Sequence, residues 1–202
     1  MKYIYITIFF ITTIFIYSSN SSKSNTNYSE IIETKLAKDY SNLSSGDIVF
    51  RTGTSFWTPF FIQANKRYGY SHLGVVIFEK NIPYVLHAEA DDLTLIGGIK
   101  KTLLDIFILE SSSYIVKKNN MPSNLKAKFI SELIKISYLN IEFDSNFDIN
   151  DDGKKLYCTE YIWLAAKRAG LDNFGNIEFF HGKPFILVDS IYESSYLEAI
   201  NN

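Results

Sequence analysis

Apolar residues recur every three or four positions in "SNLKAKFISELIKISYL" (123–139). Leu125, Phe129, Leu133 and Ile136 share one face, and the spacing predicts an amphipathic helix. A second stripe starts at Cys158 and continues through Ile162, Ala165, Ala166 and Ala169. It predicts a helix that begins near the cysteine and ends at Gly170, a natural residue to follow a helix. "SEIIETKLAKDY" (29–40) reads as a short helix and "SFWTPFFIQANKRYG" (55–69) as an aromatic-rich one. "SSGDIVFRTG" (44–53) predicts a turn, a strand and a glycine stop. In "YSHLGVVIFEKNIPYVLHAEA" (70–90) two apolar runs flank the turn-like "EKNIP", the pattern of a β-hairpin. "LTLIGGIKKTLLDIFI" predicts a strand and a short helix, "SSYIVKKN" a strand, and "NIEFDSNFDINDDGKK" a polar loop. "KPFILVDSIYES" adds a strand and a turn of helix. Helices and strands in this order predict an α+β fold with an antiparallel sheet.

The start of the chain has a different pattern. After Met1-Lys2 the sequence is uninterruptedly apolar from Tyr3 to Tyr17. A helix that crosses a bilayer needs about 20 such residues, whereas the core of an export signal needs about 7–15. Residues 1–17 are therefore expected to be a signal peptide or, if uncleaved, an N-terminal anchor. Residues 18–28 form a polar linker, and 29–202 a single domain. The expected location is periplasmic or extracellular, with membrane attachment only through residues 3–17. No cysteine follows the apolar run, which excludes lipoprotein acylation there.

Composition narrows the function classes. The chain is 47% hydrophobic and 16% aromatic, enough for a packed core. A net charge of −2 gives no footprint for nucleic acid. One cysteine allows no internal disulfide and no multi-thiolate metal site.

That cysteine is the chief candidate for chemistry. A helix N-terminus offers free N–H groups and partial positive charge, which favour a thiolate. The competing reading is a buried cysteine that only fills space. The histidines bear on the choice. His72 opens one arm of the hairpin and His87 lies on the other. A turn centred on Glu79-Lys80 sets His87 opposite His72, and a turn centred on Lys80-Asn81 sets Glu89 there. Either register gives His72 a polar neighbour on its own face. His181, beside Gly182, reads as an ordinary loop residue. "DINDDG" (148–153) resembles the start of a calcium loop, but Thr159 stands where the bidentate glutamate belongs, so a solvated loop is expected. His72, His87 and Cys158 have no fixed zinc-binding spacing, and no metal is expected.

"SGDIVF" followed by "YSHLGVVI" resembles the strand and histidine motifs of NlpC-like papain-fold cysteine hydrolases. Here "YCTEYIW" comes after them, an order similar to the circularly permuted YiiX/YaeF-like branch. The resemblance covers about residues 43–195. It implies a papain-like core in which the cysteine helix packs on an antiparallel sheet. It further implies Cys158 as nucleophile, His72 as base, and His87 as the residue that orients His72, with Glu89 as the alternative. The implied activity is an exported cysteine peptidase or amidase that cleaves an amide bond without a cofactor. Its substrate would be a peptide or acyl amide, such as a cell-wall or lipoprotein peptide. The alternatives are an acyl or lipid amidase or thioesterase with the same residues, and a non-catalytic binding domain on an inactive papain-like fold.

Overall fold

The computed structural model describes residues 40–200. The expected leader and linker, and the helix expected over 29–40 apart from Tyr40, lie outside the described residues.

The chain runs β1 (Ile48–Gly53), α1 (Thr58–Ala64), β2 (His72–Glu79), β3 (Ile82–Ala90), β4 (Gly97–Leu103) and α2 (Leu104–Leu109). It continues through β5 (Ser111–Asn119), α3 (Ser123–Ser137), β6 (Glu142–Phe143), β7 (Lys155–Leu156) and α4 (Cys158–Arg168). It ends with β8 (Ile177–Phe180), β9 (Lys183–Ile186), α5 (Val188–Tyr192) and β10 (Leu197–Ala199). Eight strands form one sheet in the order β10-β5-β1-β2-β3-β4-β6-β7, and β8-β9 is a separate hairpin. Its pairings are antiparallel except that between β6 and β7.

The β2–β3 hairpin fixes the site. Lys80 and Asn81 have φ of 50° and 66°, so they are the central pair of a tight turn whose twist matches the strands. The register follows from that turn: Val75 faces Leu86 and Glu79 faces Ile82. This corrects the alternative centred on Glu79-Lys80, because the left-handed positions are one residue further on.

Each strand presents two faces. Ile48 and Phe50 of β1, Leu73 and Val75 of β2, and Leu86 and Ala88 of β3 share one core with Cys158, Tyr161 and Ile162 of α4. Apolar burial of this kind contributes about 25 cal/mol per Å² and is the main force that seats α4 on the sheet. Tyr161 Oη also donates to the carbonyl of Leu133, 2.8 Å away, which ties α4 to α3. Gly170, with φ of 90°, ends α4, and the Leu171 amide returns to the Ala166 carbonyl at 3.0 Å.

Some expected elements shift. α1 starts at Thr58 rather than Ser55, because Pro59 suits a first helical turn. The polar loop before Cys158 carries the two-residue strands β6 and β7 at its ends.

Candidate active site

Cys158 is the first residue of α4 and is 2% exposed. The preceding Tyr157 is extended and wholly buried, and its hydroxyl accepts the Ile186 amide at 2.8 Å. This anchors the point where the helix begins. The next residue, Thr159, donates its hydroxyl to the Ile186 carbonyl at 2.6 Å. Thr159 is thus engaged with β9. Before α4, the Asp148 carboxylate accepts the Asn150 amide, and the Asp151 carboxylate those of Gly153, Lys154 and Lys155.

His72 opens β2. The strand is pinned just before it: the Ser71 hydroxyl accepts the Gly53 amide at 2.9 Å, and the Ser71 amide donates to the Arg51 carbonyl at 3.0 Å. Arg51 pairs with His72 across β1 and β2. The observed hairpin register, continued to the start of β2, sets Glu89 on the other flank of His72 and Gly74 opposite His87. Arg51, His72, His87 and Glu89 therefore share the sheet face that α4 does not cover. There α2 lays the Phe107 ring against both imidazoles, with centroids 5.5 and 4.9 Å apart. The Arg51 guanidinium stacks on the same ring at 4.0 Å.

Cys158 comes from one face of the sheet and His72 belongs to the other. At the strand end both line a single cavity of about 360 Å³. Trp57, Phe61 and Phe143 form its apolar wall, and Glu89, Asp91 and Asp92 contribute carboxylates. His87 lies behind His72, 1% exposed.

A hydrogen-bonded chain leads inward from the cavity. His72 Nε2 is 3.0 Å from His87 Nδ1, and His87 Nε2 is 2.9 Å from Thr102 Oγ1. The contact is diagonal across the strands. It needs the empty space at Gly74, where a Cβ would stand 2.3 Å from Val85 Cγ1 and 3.1 Å from His87 Cβ. Glu89 Oε1 lies 3.9 Å from His72 Nε2 and also bonds the Arg51 guanidinium. Arg51 is held as well by the Phe107 carbonyl at 2.8 Å and by Glu110 at 3.3 Å. Lys100 is 3.5 Å from the second Glu89 oxygen.

These surroundings set the protonation states. Burial, then the positive charge of Arg51, hold His72 well below the ordinary imidazole range. The same two causes lower His87 to about 3. Burial pushes the Cys158 thiol up to about 12, against the amides of Thr159, Leu73 and Cys158 itself, which hydrogen-bond the sulfur and pull the other way. The low thiol pKa expected from the helix N-terminus is thereby corrected: in this site desolvation outweighs the helix end. The resting pair is a neutral thiol and a neutral imidazole.

Cys158, His72 and Glu89 thus line one cavity and His87 supports it, while His181, at the tip of the β8–β9 hairpin, does not line it. Sequence reasoning missed Arg51, Thr102 and Phe107. A charged residue in the buried strand "DIVFRTG" was the available signal for Arg51.

The model of the permuted papain-like amidase family, the YaeF/YiiX or C92 family, matches residues 42–193. Over 129 residues the chain is 28% identical to YiiX of Escherichia coli K12; the match covers 62% of this chain and 58% of that protein's length. The crystal structure of YiiX from Escherichia coli O157:H7, described as a metalloprotein, is similar with a TM-score of 0.64 at 19% identity. That likeness is one of fold and covers 79% of this chain and 97% of the other.

Proposed function

The chain belongs to the permuted papain-like amidase family, and from that premise we propose that it hydrolyses an amide bond with Cys158 as nucleophile and His72 as base. The observation that carries this reading is the shared cavity of Cys158 and His72, with the second imidazole bonded to His72 from behind.

The tautomer of His72 matters. With hydrogen on Nε2, His72 donates to His87 Nδ1, and His87 Nε2–H donates to the Thr102 hydroxyl. The Glu89 carboxylate beside Nε2 favours hydrogen at that position. Nδ1 of His72 is then a free lone pair and takes the thiol proton as sulfur attacks the amide carbonyl carbon. The carbonyl π electrons move to oxygen. The Cys158 amide, in a helix turn with no intrahelical acceptor, suits that oxyanion. His72 returns the proton to the nitrogen as the C–N bond breaks, and the amine departs. Water, deprotonated by His72, attacks the thioester and releases the acid and the thiol. Because thiol and imidazole rest neutral, charge develops only during attack; the imidazolium then forms with its Nε2–H bonded to His87 and the Glu89 carboxylate 3.9 Å away, against the burial and the Arg51 charge that disfavour it.

YiiX is described as a metalloprotein. In this chain His72, His87 and Glu89 offer ligand atoms within 4.8 Å of one another. The imidazoles are bonded to each other, however, and Arg51 and Lys100 flank the two oxygens of the single carboxylate. A divalent ion would have to break the imidazole pair and displace two cations. These residues do not fit a resident metal, and no step here passes through one.

The substrate is an acyl or peptide amide, and residues 1–17 are read as the segment that directs the domain to or across a membrane. The test is acid-quenched intact mass after mixing with N-acyl and peptide amides. A mass gain equal to the acyl group less one hydrogen, located on Cys158 and missing in Cys158→Ala, is the expected result. Undiminished turnover by Cys158→Ala would refute the reading.

A further inference from the structure

Arg51 is a cation in an otherwise apolar stretch of β1. Ile48, Val49 and Phe50 precede it, and it is itself 3% exposed. A buried ion pair is often worth no more to a fold than apolar groups of the same volume, so stability alone does not account for it. Its two terminal nitrogens have separate partners. Nη1 donates to the Phe107 carbonyl at 2.8 Å and to Glu110 at 3.3 Å. With the guanidinium stacked on the Phe107 ring, these contacts fix its position. Nη2 donates to Glu89 Oε1, and Lys100 stands 3.5 Å from the other Glu89 oxygen.

The oxygen that Arg51 holds is the one nearest the base. It lies 3.9 Å from His72 Nε2, beyond hydrogen-bond length. Nε2 is bonded instead to His87 Nδ1 at 3.0 Å. A carboxylate is the stronger acceptor, since a hydrogen bond to an ionised group is roughly twice as strong as one between neutral groups. The weaker acceptor holds the proton because the stronger one is engaged elsewhere. This matters to the chemistry: an imidazole bonded to a carboxylate becomes more basic, and one bonded to a neutral imidazole does not. The groups that face His72 are Arg51 from β1, His87 and Glu89 from β3, Lys100 from β4 and the Phe107 ring from α2, with Cys158 of α4 in the shared cavity. Among these, Glu89 is the single anion.

We propose that Arg51 is a positioning residue for the base: by holding Glu89 off Nε2 it assigns His72 to His87, and it leaves a neutral imidazole whose Nδ1 lone pair is free for the thiol proton. The cation and the withheld carboxylate act in the same sense. One repels an imidazolium, and the other is kept from bonding to it. Without Arg51, Glu89 should turn on to Nε2–H, and His72 should take up a proton at a pH where it is otherwise neutral. This role rests on the reading of His72 as the base.

The test follows the nitrogen-labelled histidine rings of the full chain by nuclear magnetic resonance from pH 5 to pH 8. In the unaltered protein the His72 ring should stay neutral, with hydrogen on Nε2 and a nitrogen–nitrogen coupling to His87 Nδ1 across the hydrogen bond. Arg51→Met keeps an unbranched side chain against Phe107 but carries no charge. It should abolish that coupling and bring the His72 titration into this range. Adding Glu89→Gln should lower the new midpoint by about one pH unit or more, because the amide carries no charge to hold the imidazolium. Glu89→Gln alone, with Arg51 in place, should leave the coupling intact. A His72 that stays neutral in Arg51→Met, a midpoint that Glu89→Gln does not lower, or an unaltered protein without coupling between the two rings would overturn the proposal. Arg51→Gln, whose amide can still donate to the Phe107 carbonyl, takes the place of Arg51→Met if that variant does not melt cooperatively. No turnover is measured, so a failure of hydrolysis leaves the ring titrations standing, and unchanged titrations leave hydrolysis standing.

Discussion

His87 sits diagonal to His72 across the hairpin, yet its Nδ1 is 3.0 Å from His72 Nε2. Glu89 flanks His72 more directly in the register, but its nearer oxygen stays 3.9 Å from Nε2 because Arg51 holds it. In the proposed mechanism the two candidates for the orienting role divide it. His87 makes the hydrogen bond, and Glu89 supplies the charge.

That division predicts unequal mutant effects. His87→Ala removes the acceptor that fixes the His72 tautomer and should lower kcat by about ten-fold or more with little change in KM. Glu89→Gln leaves the imidazole pair intact and should cost less. His87→Asn, whose amide oxygen can accept from Nε2, should recover part of the loss. Steady-state kinetics on one amide substrate compare all three, and a larger loss in Glu89→Gln would transfer the orienting role to Glu89.

The nucleophile and base should be indispensable. Cys158→Ala and His72→Ala should each lower kcat/KM by about 10³-fold or more, because thiol attack and proton transfer act as one unit. Thermal melting checks that the folds survive. His72→Ala leaves Cys158 buried without its base, so the two effects should not add in the double variant.

Much of this site is legible in the sequence. The small-residue stripe from Cys158 locates α4, and alternation around "EKNIP" locates the hairpin that bears His72 and His87. The turn centre is not legible, because Glu79-Lys80 and Lys80-Asn81 are both polar pairs; the left-handed φ values at Lys80 and Asn81 decide it. Arg51 escaped notice because a strand pattern says which face a residue takes but not what crosses that face. Its partners, Glu89, Phe107 and Glu110, come from β3, α2 and the end of that helix. Strands β8 and β10 escaped because short strands of four and three residues leave little periodicity. The protonation of Cys158 is not legible for a related reason: sequence shows the helix start, and only the packing shows how fully the sulfur is buried.

The neutral resting pair predicts the pH dependence of labelling. With the thiol pushed up to about 12, alkylation of free enzyme by iodoacetamide should keep accelerating above pH 9. A half-maximal rate at or below about 8.5, the ordinary thiol value, would contradict it. On the acid side His72 is held low and stays neutral, so kcat/KM should not fall until well below pH 6.5.

Glu160 offers a test of stability separate from catalysis. It lies in the first turn of α4, 2% exposed, and accepts the Tyr157 amide. Its Oε2 has no partner among the described residues. Burial first, then the negative charges of Asp144, Asp151 and Asp148, raise the carboxyl to about 8. The folded value exceeds the unfolded one, so the protonated form is favoured by folding. This contribution is fully present below about pH 4.5 and is lost as pH rises through about 8. Glu160→Gln keeps an oxygen for the Tyr157 amide but carries no charge. It should be nearly neutral at pH 5 and stabilising at pH 9, by about 2–4 kcal/mol if the carboxyl ionises fully in place. For a chain of this size, that is a rise in Tm of roughly 5–15 °C at pH 9. Melting curves of both proteins at the two pH values give the comparison, and an equal shift at pH 5 and pH 9 would show that the charge on Glu160 is not what strains the fold.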